Sequence, residues 1–193
     1  MPTQEPPVLQ FANPQEFTTW LDAHHAVTPG GIWLRIAKKG AAIASVSYPE
    51  ALDAALCYGW IDGLRRRYDA DTFVQKFTPR RHRSLWSKVN REKVQTLIAQ
   101  GRMQPAGLAA IEAAKQNGQW EAAYDSHRTA TVPADFLAQL QTHPKAKAFF
   151  ATLNRQNRYA VLHRIQTARK PETRARRIAQ FVTMLERGET LYP

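Results

Sequence analysis

Apolar residues recur at helical spacing along most of this chain and alternate in three short segments. Phe17, Trp20 and Leu21 fall at i, i+3 and i+4 behind Asn13-Pro14, which reads as an N-cap and a first helical residue. Pro29-Gly30-Gly31 ends that unit. Ile32–Ala37 alternates Ile, Leu and Ile with Trp, Arg and Ala, the pattern of a half-buried strand. Ser47 and Glu50 have capping-box spacing and Pro49 lies in the first turn, predicting a helix through Tyr58 with Leu52, Ala55 and Leu56 inward and Gly59 as its C′ residue. Residues 64–68 and 72–78 alternate again about Asp69-Ala70-Asp71, which predicts a β-hairpin. Leu64, Arg66 and Tyr68 share one face of its first strand, and Arg65 and Arg67 share the other.

From residue 84 onward the period is helical. Ser87 can cap a helix to about residue 100 with Val94, Leu97 and Ile98 inward, and Pro105 opens another with Leu108 and Ile111 inward. Residues 120–131 read as a polar connector, in which Trp120 and Tyr124 suggest packing. Four helical patterns follow. They are marked by Phe136, Leu137 and Leu140; by Phe149, Phe150 and Leu153; by Tyr159, Leu162 and Ile165; and by Ile178, Phe181, Val182 and Leu185. The expected fold is α+β, with a small antiparallel sheet of about three strands and flanking helices in the N-terminal half and a helical C-terminal half. The expected domains are 11–119 and 132–188, preceded by an extended arm over 1–10.

Composition narrows the function classes. The single cysteine, Cys57, excludes an internal disulfide and an all-cysteine zinc site. No apolar run reaches the roughly 20 residues that cross a bilayer, and the first residues lack a secretory pattern, so no transmembrane segment and a cytoplasmic location are expected. The charge changes the picture more. Lys and Arg number 27 against 16 Asp and Glu, a net of +11, and the positive excess lies within residues 61–193. Such a field concentrates anions, whether a small molecule, an acidic partner or a nucleic acid.

The densest candidate chemistry lies in residues 57–91. Arg80, Arg81 and Arg83 precede the predicted Ser87 helix, whose free N–H groups and guanidinium forks suit a phosphate or carboxylate. Trp60 and Trp86 are expected to wall a groove. Ser84, Ser87 and Asn90 would add hydrogen bonds, and Asp62 would orient a guanidinium or serve as a turn aspartate. A second basic patch is Arg169, Lys170, Arg174 and Arg177, equally readable as a solvated helix face. His24-His25 and the other histidines show no metal-ligand spacing, no phosphate loop or nucleophile elbow occurs, and no metal, cofactor or catalytic residue is expected.

The segments Ala55-Leu56-Cys57-Tyr58-Gly59-Trp60-Ile61-Asp62-Gly63, Phe77-Thr78-Pro79-Arg80-Arg81 and Ser84-x-Trp86-Ser87-Lys88-Val89-Asn90 resemble the YdeI/OmpD-associated, bacteriocin-protection family. So do Gly101-Arg102-Met103-x-Pro105-Ala106-Gly107 and the C-terminal run Ala168-Arg169-Lys170-Pro171-Glu172-Thr173-Arg174-Ala175-Arg176-Arg177-Ile178. The likeness spans about residues 11–188. It implies a part in tolerance of bacteriocins or antimicrobial peptides and a link to an outer-membrane porin, and it carries over no catalytic residue. The leading expectation is a non-enzymatic protein that binds an anionic ligand. Sequence-independent nucleic-acid binding and an enzyme acting on a small anionic substrate through Asp62 or Cys57 stand as alternatives.

Overall fold

The computed structural model describes residues 5–193, so the first four residues of the expected arm lie outside it. The protein is α+β. It divides into two compact units. The first runs to Trp86 and resumes over Asn90–Glu121; the second comprises Ser87–Val89 and Ala122–Pro193. Among the described residues no helix is long and apolar enough to cross a membrane.

The first unit holds a four-stranded sheet. Its strands are β1 (Val8–Leu9), β2 (Ile32–Ala37), β3 (Trp60–Arg67) and β4 (Thr72–Pro79), and their spatial order is β1-β2-β4-β3. β1 runs parallel to β2; β4 is antiparallel to both β2 and β3. Two residues of strand are too short to show a period, so β1 has no signature in the sequence. Helix α1 (Pro14–His24) begins where expected, with the Asn13 side chain accepting from the Glu16 amide. Helix α2 (Tyr48–Cys57) carries the Ser47/Glu50 capping box. Phe17 and Leu21 of α1 and Ala51, Leu52, Ala55 and Leu56 of α2 are buried, as are Ile32, Leu34, Ile36, Phe73 and Phe77 of the sheet. The Phe17 and Phe77 rings lie 6.0 Å apart.

Helices α3 (Lys88–Ala99) and α4 (Pro105–Gln116) follow the hairpin. The start of α4 packs closely on the end of α2: a Cβ at Gly107 would lie 2.2 Å from the Cys57 carbonyl oxygen, closer than any atom fits. Gly59, at φ +72°, turns the chain out of α2 and into β3.

In the second unit, α5 (Ala134–Thr142), α6 (Pro144–Thr152), α7 (Arg155–Gln166) and α8 (Pro171–Glu186) surround Phe136, Leu140, Phe150, Val161, Leu162, Ile165, Ile178, Phe181, Val182 and Leu185. Two residues expected inward are not: Ile98 and Leu108 are 45% and 43% exposed, and Leu137, which marks α5, is 42% exposed. Each follows a buried residue (Leu97, Gly107, Phe136), and the roughly 100° turn between helical neighbours carries it to the flank of the apolar stripe.

Candidate functional site

A hollow of about 540 Å³ opens in the first unit where several elements end. His25 is the C-cap residue of α1, and Tyr58 is that of α2. Trp60 begins β3 and pairs with Pro79 at the end of β4. The Arg80 amide continues that pairing by donating to the Gly59 carbonyl at 2.9 Å. Asp62, readable in the sequence as a turn aspartate, instead lies within strand β3. The irregularity lies between Asp62 and Arg65, where the ladder shifts register. This pairing brings His25, Tyr58, Trp60, Arg80 and Arg81 to one surface, and no carboxylate is among the residues that line it.

Each side chain has a distinct state. His25 Nδ1 lies 2.8 Å from the Leu21 carbonyl oxygen, which can only accept, so Nδ1 carries the proton. The Tyr58 hydroxyl donates to Asp22 at 3.2 Å; burial, together with the Asp22 charge, pushes its pKa up to about 12 and keeps it protonated. Trp60 is 1% exposed, donates its indole N–H to the His25 carbonyl at 3.3 Å and meets the Trp20 ring edge-on at 6.0 Å. It is therefore a floor, not a wall. Arg81 is exposed. Its amide donates to the Ser84 hydroxyl at 2.8 Å and its carbonyl accepts from the Ser84 amide at 2.9 Å, a closed turn that fixes the backbone at the edge of the hollow.

Arg80 and Trp86 differ from expectation. The guanidinium carbon lies 3.5 Å from the centroid of the Trp86 ring, and Nη1 donates to the Leu85 carbonyl at 3.0 Å. Trp86 is 3% exposed and also meets the Trp120 ring, 5.1 Å away. Arg80 thus closes the interior over Trp86, and Trp86 is core. Replacing Arg80 with Ala should lower stability by about 2 kcal/mol, from a desolvated cation–π contact and a lost hydrogen bond. A urea midpoint identical to that of the native chain would show that the stack carries no energy.

Other expected members stand apart from the hollow. Asp62 accepts from the Tyr48 hydroxyl at 2.8 Å, so its carboxylate is held by the start of α2 rather than by an arginine. Arg83 is exposed and Asn90 is buried in α3. Ser87 belongs to the second unit, where it bridges to Tyr124. His25 and Tyr58 are not among the expected binding residues, His25 being read only as a histidine without metal-ligand spacing and Tyr58 only as a helix end. Their only signal is position, each at a helix end just ahead of a glycine-bearing turn. Cys57 is buried, and burial pushes its thiol pKa up. Among the described residues no group of three or more His, Cys, Asp or Glu could hold a metal ion.

Residues 9–110 match a domain of unknown function (DUF8412), and residues 129–188 match the family described as bacteriocin-protection, YdeI or OmpD-associated. The chain belongs to the DUF8412 family, and its C-terminal part carries a YdeI/OmpD-associated domain. Its N-terminal half is a DUF8412 domain. No curated protein and no solved structure matches it.

Within the YdeI/OmpD-associated domain the second basic patch is divided by its contacts. Arg174 holds Asp135 through two parallel hydrogen bonds of 2.6 and 2.9 Å and donates a third to the Ile165 carbonyl at 2.9 Å. The guanidinium lowers the Asp135 pKa, so this pair contributes stability above the ordinary carboxylate range and loses it as acid protonates Asp135. Arg177 donates to the Arg164 carbonyl. Arg174 therefore ties α8 to α5, while Arg169 and Lys170 are exposed in the turn ahead of α8.

Proposed function

We propose that this protein binds a small anionic ligand in the hollow lined by His25, Arg80 and Arg81. The observation that supports the reading is a concave surface with two guanidiniums and an imidazole but no lining carboxylate, set on a floor of buried aromatic rings. Arg81 is the forked donor that reaches the anion. Arg80, held on Trp86, adds fixed positive potential, and Tyr58 stays neutral beneath. The Trp60 floor excludes water from one side, which strengthens the charge interaction.

Calorimetric titration with inorganic phosphate and pyrophosphate tests this. Arg81→Ala should weaken binding about tenfold or more, the effect of losing about 1.4 kcal/mol or more of charge-assisted hydrogen bonding. Its melting temperature should not change, because the side chain is exposed. Equal binding by native and Arg81→Ala proteins removes the hollow as the site. Salt dependence separates the nucleic-acid reading: a small ligand gives a shallow slope, and a duplex gives one that counts many phosphates.

The family description names bacteriocin protection, and the proposal extends to that role. Cells carrying Arg81→Ala in place of the native chain should then survive bacteriocin less well. Survival equal to that of the native strain would separate the hollow from tolerance.

A further inference from the structure

Helix α7 carries two faces of different character. Val161, Leu162 and Ile165 enter the core of the second unit. Arg155, Tyr159, His163 and Thr167 recur every four residues on the opposite side, with Gln156, Ala160 and Arg164 beside them, and these line a groove of about 770 Å³. Arg177 of α8, His127 of the connector and Tyr192 of the C-terminal tail complete it. The tail is held there by Asn157, which is 2% exposed. Its side-chain oxygen accepts from the Leu191 and Tyr192 amides at 3.0 and 2.9 Å, and its side-chain nitrogen donates to the Tyr192 carbonyl at 3.1 Å.

The groove is cationic and aromatic together. Three arginines and two histidines line it, and no carboxylate does. The polar groups are oriented by internal contacts. The Tyr159 hydroxyl donates to the Asp125 carbonyl at 3.0 Å, and the His163 ring is packed edge-on against Tyr124 at 4.6 Å. Arg164 donates from Nη2 to the Tyr192 hydroxyl at 3.4 Å, while its Nη1 is buried without a hydrogen-bond partner. A buried donor without an acceptor is costly, and an anionic oxygen is the acceptor that a guanidinium satisfies best.

We propose that this groove is a second ligand site, distinct from the hollow of the first unit, and that it takes a small organic anion built on a flat aromatic ring. The anionic head pairs with Arg164 and Arg155, beside Arg177. The ring lies against Tyr159 and Tyr192. Carboxylate and phosphate heads share this chemistry, so both are needed as probes.

The test is titration of the full chain with benzoate, phenyl phosphate and inorganic phosphate, followed by calorimetry and by chemical shifts of the Tyr159 and His163 rings. At least one aryl anion should bind saturably and shift those rings, and inorganic phosphate should affect them at least about tenfold more weakly. Which aryl probe is tighter identifies the head. Arg164→Met, which keeps the apolar stem, should weaken aryl binding about tenfold or more. Should that variant fail to fold, Arg155→Ala, at the exposed start of α7, gives the same reading. Arg81→Ala weakens phosphate in the first-unit hollow but should leave the aryl-induced shifts of the Tyr159 and His163 rings as in the native protein, so failure of the hollow and failure of this groove are read separately. Equal aryl affinity in the native, Arg164→Met and Arg155→Ala proteins overturns the site, as does the absence of any ring shift with either aryl anion. Phosphate that shifts the same rings as strongly as phenyl phosphate overturns the aromatic requirement.

Discussion

Trp60→Ala should destabilise the first unit by about 3–5 kcal/mol, the range for truncating a fully buried large aromatic. Trp60 is among the largest side chains with essentially no exposure, and its loss removes three things at once. The edge-on contact with Trp20 goes. The His25 carbonyl loses its indole donor. The hollow loses its floor. Trp60→Phe should cost less, because a ring still fills the space while the carbonyl goes unpaired. A urea series on both variants measures the difference, and phosphate titration under folding conditions measures the effect on the hollow. If Trp60→Ala unfolds at the native urea midpoint, the indole is not part of the core and the description of the hollow as a rigid seat is wrong.

Asn157→Ala should lower the stability of the second unit by about 2–4 kcal/mol, since one carboxamide satisfies three backbone groups of the tail in a buried position. Leu191, which packs against the core, is released with it. Hydrogen exchange at the Leu191 and Tyr192 amides provides a direct readout: both should become fast. Slow exchange in the variant would mean that the tail is held by packing alone. The same substitution frees Tyr192, so affinity for an aryl anion should fall along with stability.

Much of the fold is legible in the sequence, because its elements are marked by local chemistry. Asn13-Pro14 and Ser47-Pro49-Glu50 announce α1 and α2 through caps that the structure forms atom for atom. The alternation at Ile32–Ala37 and the Asp69-Ala70-Asp71 turn mark β2 and the hairpin. Strand partnership is not local. Nothing in the alternation of β2 states that β4 will lie beside it while β3 takes the far side, since period 2 reports a face and not a neighbour.

The candidate site follows the same division. The density of Arg80, Arg81, Trp60 and Trp86 is visible in the sequence, and the pairing of Trp60 with Pro79 brings Trp60 and the two arginines onto one surface. The burial of both indoles is not visible, because an aromatic residue has the same letter whether it floors a cavity or seals a core. Nor is the stacking of Arg80 on Trp86, six residues away across an irregular loop. The groove along α7 was hidden for another reason. Tyr159 reads as part of the apolar pattern of its helix, and Arg155, His163 and Arg164 as its polar side, until the tail, pinned by Asn157, turns that side into a concavity.

The sheet order leaves β3 outermost, with Arg65, Arg66 and Arg67 exposed along it. An outer strand offers its backbone as a template on which another molecule can zip. Three consecutive guanidiniums make that approach repulsive between two copies, and the shifted register at Gly63 and Leu64 breaks the flat rim that a growing fibril would need. Part of this chain's excess positive charge therefore lies where it disfavours edge-to-edge pairing of two copies.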